Sequence, residues 1–180
     1  MSSKKKNLID MALAAMFLAL ALVLPFVTAG IPQIGNALCP MHIPVLLCGF
    51  VCGPWYAMGV GFIAPLLRFA LFAMPPIMPI GIAMCFELAA YGLVSGLMYK
   101  YLPKKKPYIY VSLIGAMLIG RGVWGAARTV LYGLGKSEFG FAAFISGAFT
   151  TAIPGIIIQI ILIPLLVMMI ESLTKKQKHT

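Results

Sequence analysis

IGRGVWGAARTVLY, residues 119–132, sets two arginines inside a long apolar run. Arg121, Trp124, Arg128 and Tyr132 are spaced 3, 4 and 4 apart, so a helix would carry all four on one face. A charge at the centre of a bilayer costs roughly 2.5–3.5 kcal/mol even on the lenient insertion scale. Two cations on one face therefore turn away from lipid, toward a partner, a wet cavity or an anionic ligand. The stretch reads either as half of a structural ion pair inside a helix bundle or as one wall of a polar pocket within the membrane.

The rest of the chain supports the membrane setting. Of its 180 residues, 62% are hydrophobic and only 10% charged, and the mean hydropathy is +1.01. Such a chain predicts an all-α integral membrane protein, one compact domain over residues 1–180 with no separate soluble catalytic or nucleotide-binding domain. The formal charge of +10 invites a nucleic-acid reading, but its placement excludes it. Lysines 4–6, 100, 104–106, 175, 176 and 178 all flank apolar runs, as juxtamembrane anchors facing anionic lipid do. Cys39, Cys48, Cys52 and Cys85 lack the spacing of a disulfide or zinc framework and read as small packing residues. Lys4–Lys6, the apolar run after them and Val27-Thr28-Ala29 look like a signal peptide, yet the run is long enough to span and reads as a retained first helix.

Six transmembrane helices are expected, over residues 8–29, 43–52, 55–73, 77–102, 108–132 and 139–173. The last is too long for one straight span and should break at Pro154-Gly155 or begin along the surface. An even number of crossings puts both termini, and all three lysine clusters, on one face. The positive-inside rule makes that face cytoplasmic and the protein a multi-pass component of the cell membrane. The first outer loop, TAGIPQIGNALCPM, residues 28–41, carries turn residues with the amides Gln33 and Asn36 and reads as a lid or binding loop. His42 follows it at the outer end of the second helix.

Depth then gives the charges meaning. Glu87 is the one acid well inside a span, and its helix runs inward while that of Arg121 runs outward, so the two should meet near mid-depth and pair. Arg68 and Arg128 would then remain uncompensated toward the outside, suited to a small polar or anionic solute. Tyr91, Trp124 and Tyr132 could stack on a flat ring or could be core and interfacial belt. Gln159 is among the few polar residues of the last helix, with Ser146, Thr150 and Thr151. No Walker A, G-x-S-x-G or H-E-x-x-H motif, metal cluster or internal repeat is visible, so neither an enzyme nor an inverted-repeat transporter is indicated, and no cofactor is expected.

Several of these features together resemble the substrate-binding S components of energy-coupling factor (ECF) transporters, which import vitamins. They are six helices in a short chain, a basic N-terminus, Ala15-x-x-x-Ala19 in the first helix and a long first outer loop. The stretch MHIPVLLCGFVCGPWYAMGVGFIAPLL, residues 41–67, is similar to the helix 2–3 region of that family. The resemblance implies capture of a vitamin or related metabolite near the outer face. Riboflavin-, pantothenate- and queuosine-precursor-like solutes are among the family's substrates. It also implies docking through Ala12, Ala15 and Ala19 onto a transmembrane coupling subunit energised by two cytoplasmic ATPases. The expected substrate-binding residues are Asn36, Arg68, Glu87, Tyr91, Arg121, Trp124, Arg128, His42 and Gln159. A stand-alone channel or facilitator and a ligand-free membrane assembly subunit are the rival readings.

Overall fold

The computed structural model describes residues 3–28, 39–103, 105–134 and 153–177. Its helices are α1 (Ser3–Thr28), α2 (His42–Val51), α3 (Pro54–Phe72), α4 (Ile82–Tyr101), α5 (Lys106–Leu134) and α6 (Ile153–Gln177). Five of them are long and apolar enough to cross a membrane; α2, at 10 residues, is shorter. Its length is ~15 Å, about half the hydrocarbon thickness. Residues 139–152 of the expected last helix lie outside the described residues, so the break expected within it is seen only as the start of α6 at Ile153. Pro154 falls in the first turn there, where a missing N–H costs nothing.

One expected boundary moves. The fourth span was expected to be helical from residue 77, but the regular helix begins at Ile82. The Ile77–Gly81 turn before it is wide, and Met78 is extended at φ −113° and ψ 133°. Pro79 explains the shift, because a proline disfavours the helical region for the residue before it. The boundary between α2 and α3 is as the sequence suggests. Gly53 has φ 93°, which only glycine adopts without strain, and Pro54 opens α3 with its φ already set for a helix.

Cross-helix contacts give the helix directions. The Tyr56 hydroxyl donates to the Asn7 carbonyl at 3.4 Å, while Arg68 Nη1 donates to the Leu22 carbonyl at 3.1 Å, so α1 and α3 run the same way. The rings of Phe50 on α2 and Tyr99 on α4 are 5.1 Å apart, and the Tyr99 hydroxyl bonds the Glu171 carboxylate of α6. The start of α1, the ends of α2, α4 and α6 and the starts of α3 and α5 thus gather at one end. Exposed Lys4, Lys5, Lys6, Lys100, Lys105 and Lys106 cluster there.

Close backbone approach holds the centre. A Cβ built on Gly92 of α4 would lie 2.4 Å from the Ala57 carbonyl oxygen of α3. Only a missing side chain permits that spacing, the usual way membrane helices gain dispersion contacts where lipid offers no hydrophobic driving force. Around the seam Val45, Leu46, Ala57, Leu88, Leu113 and Ile163 are fully buried. Outward-facing Leu8, Phe62, Leu71, Leu118, Ile161 and Leu165 remain exposed, as a lipid-facing surface requires.

Candidate functional site

The polar residues inside the bundle meet at the end remote from the lysines. Glu87 lies fourteen residues before the end of α4 and Arg121 fifteen after the start of α5. At 1.5 Å per residue both sit ~21–22 Å along their helices from the lysine-bearing end. Antiparallel neighbours of equal reach bring the two to one level, and Arg121 Nη1 stands 3.0 Å from Glu87 Oε1. Both are buried, at 7% and 2% exposure. The same carboxylate oxygen accepts from the Tyr91 hydroxyl at 3.1 Å, one turn along α4. The Tyr91 ring has room because α5 carries Gly120 opposite it: a Cβ there would lie 2.3 Å from the ring carbons.

His42 completes the cluster from the first turn of α2. Its ring centroid is 5.1 Å from that of Tyr91, tilted by 60°. Nε2 lies 3.5 Å from Glu87 Oε1, too long for a well-formed hydrogen bond. Neither ring nitrogen has a hydrogen-bond partner among the described residues, and neither does Arg121 Nε, although all three atoms are buried. Arg121 Nη2 points at the Cys39 sulfur, 3.9 Å away. Sequence reading treated Cys39 only as packing. Its carbonyl also accepts the His42 N–H at 3.0 Å, which ties this residue to the start of α2. No spacing signal could have found Cys39, since its proximity to Arg121 arises between segments 82 residues apart.

Farther along the same face of α5, Arg128 is half-buried between two rings, 4.9 Å above Trp124 and 5.0 Å from Tyr132. It donates to the Tyr132 hydroxyl at 2.7 Å. Trp124 is itself buried, against Ala83 of α4, so one ring face already meets a cation. Gln159 is buried on α6 at 2% exposure. Asn36 lies outside the described residues.

Arg68 differs from its expected setting. It was expected to stand uncompensated beside Arg128, but its guanidinium bonds the Leu22 carbonyl and lies 5.2 Å from the Phe26 ring and 6.0 Å from the Phe72 ring. These partners belong to α1 and to its own helix, not to the Glu87 cluster. Sequence depth located Arg68 along the membrane normal but could not say which neighbour lay beside it. Among the described residues no three His, Cys, Asp or Glu side chains come together in a way that could hold a metal ion.

A family model described as the ECF transporter substrate-specific component matches residues 10–167. The chain therefore belongs to that family: it is a multi-pass protein of the cell membrane, a substrate-specific subunit of an ECF transporter. Such subunits are transport components rather than enzymes, and they work with a ligand and with membrane and ATPase partners of the energy-coupling module. No curated protein and no solved structure matches the chain.

Proposed function

We propose that this subunit captures a vitamin-like solute at the end of the bundle remote from the lysines, with riboflavin-, pantothenate- or queuosine-precursor-like compounds as the solute class. It then docks on a transmembrane coupling subunit served by two cytoplasmic ATPases. The lysine-bearing end is cytoplasmic, in keeping with the positive-inside rule, and both chain termini face that side. His42, Glu87, Tyr91 and Arg121 form the floor of the site. Arg128, Trp124 and Tyr132 extend it along α5, and Gln159 and Asn36 contribute from α6 and the first outer loop. Arg68 acts at the margin, through the end of α1.

The observation that carries this reading is the unfilled hydrogen-bonding capacity of a buried cluster: both His42 nitrogens and Arg121 Nε. Buried polar groups are almost always satisfied, and the exceptions concentrate where a ligand or water completes them. The docking step is supported by Ala12, Ala15 and Ala19, all exposed on the side of α1 turned away from Ala14, Phe17 and Ala21, which pack into the bundle. A strip of small residues on an open helix face lets a second helix approach closely.

Native mass spectrometry of the protein purified from its own membranes tests the capture step. A bound small molecule is expected, released when the protein unfolds. Protein that is consistently empty, together with uptake that does not depend on it, would reject the reading. Ala15→Leu tests docking separately: it should abolish co-purification of the coupling subunit while leaving ligand affinity unchanged.

A further inference from the structure

The three-residue cluster at the start of α2 has a donor and acceptor pattern that narrows the chemistry of the captured group, provided that the proposed capture is correct. Glu87 Oε1 gathers Arg121 Nη1, the Tyr91 hydroxyl and, at longer range, His42 Nε2. Its second oxygen, Oε2, takes no part in these contacts. Arg121 uses Nη1 on Glu87 and Nη2 on Cys39, leaving the Nε–H donor. A neutral imidazole supplies one N–H donor and one bare nitrogen acceptor, and both are unused in His42. The vacancies are thus of mixed sign: donors at Arg121 Nε and one His42 nitrogen, acceptors at the other His42 nitrogen and at Glu87 Oε2.

The charge balance points the same way. Arg121 is already neutralised by Glu87 at 3.0 Å. A solute carboxylate seated on the same guanidinium would lie within a few ångströms of the Glu87 carboxylate. In a buried setting two such anions repel strongly enough that one must take up a proton. A solute ammonium meets the matching problem at Arg121. A neutral group with a carbonyl beside an N–H meets neither problem: its oxygen accepts from Arg121 Nε, and its N–H donates to His42 or Glu87 Oε2.

We infer that the cluster of Glu87, Arg121 and His42 recognises the uncharged amide-type edge of a solute, a carbonyl next to an N–H as in a lactam, imide or carboxamide, and selects against a carboxylate at that position. Any anionic group on the same solute would lie elsewhere, along the Arg128 face.

Binding of small probes to the full purified chain in detergent tests this, read by thermal stabilisation and by titration. Two matched pairs isolate the edge: nicotinamide against nicotinate, and hypoxanthine against purine. Riboflavin serves as a larger probe carrying an imide edge. The amide or lactam member of each pair should bind roughly tenfold or more tightly than its partner. Glu87→Gln removes the competing anion, so nicotinate should gain on nicotinamide by a similar factor. Should that variant not fold, His42→Phe keeps a ring beside Tyr91, removes both nitrogens and should erase the preference within each pair. Equal or tighter binding of nicotinate to the unaltered protein overturns the inference and leaves solute capture standing. If no probe binds, the solute carried by protein from its own host decides, and one without an amide-type edge also overturns it. Silence to every probe together with an empty native protein overturns solute capture itself, and this inference with it.

Discussion

Two arginines within apolar helices, Arg68 and Arg121, meet the same physical problem at two corners of the bundle and resolve it differently. At the α1–α3 corner Arg68 is served by a backbone carbonyl and two phenyl faces. Pro25 lies in the same stretch of α1, where a proline interrupts regular backbone bonding. The corner acts as a clasp between helices. At the α2–α4–α5 corner Arg121 has a full counter-charge, yet the cluster around it keeps donors and acceptors in reserve. A structural ion pair is under pressure to satisfy every polar atom, because each omission costs about 1–3 kcal/mol. The contrast separates an arginine that fastens the fold from one placed to meet something else.

Glu87→Ala should have the largest effect, since it strands a buried guanidinium. A loss of about 3–5 kcal/mol is expected, read as a large fall in the unfolding midpoint of the purified protein. A fall no greater than that of a surface substitution would mean that Arg121 finds relief elsewhere. Gly120→Ala should come next, because the new methyl strikes the Tyr91 ring. Overpacking of this kind costs about 1–3 kcal/mol, and ligand affinity should fall with it. Gly122→Ala is its control: nothing lies within 4 Å of the added carbon, so stability should hold or rise.

Arg128→Ala should separate binding from folding. Affinity should weaken about tenfold, or ~1.4 kcal/mol, while the unfolding midpoint stays close to that of the unaltered protein. Unchanged affinity would remove Arg128 from the site. Smallest is Arg68→Ala, which forfeits one hydrogen bond and the ring contacts, worth about 1 kcal/mol. It should leave ligand affinity alone; a tenfold loss of affinity there would erase the distinction between the two corners.

Much of this was legible along the membrane normal and little of it across the membrane plane. Lysine placement and apolar run length locate the helices, and counting residues from the helix ends sets Glu87 level with Arg121, whose contact the structure places at 3.0 Å. Lateral neighbours are another matter. Nothing in the spacing of residues 22–26 announces that they flank Arg68, and nothing near Cys39 announces Arg121. Which helix lies beside which is decided by small-residue seams such as Ala57 against Gly92, and many alanines and glycines in the chain could have served. The Met78 kink was missed for a local reason: two closely spaced prolines, Pro76 and Pro79, were read as a turn followed by an unbroken helix.

The brevity of α2 has a consequence for tightness. A half-length helix leaves the peptide groups of Cys39, Pro40 and Met41 deep in the hydrocarbon slab, where non-helical backbone survives only if protein encloses it or water reaches it. Beyond that point, toward the lysines, Leu46, Leu88 and Leu113 form a dry plug with no exposure at all. The barrier to ions is thus set into one half of the molecule, so a blind well can be carved into the other half without making the membrane leak.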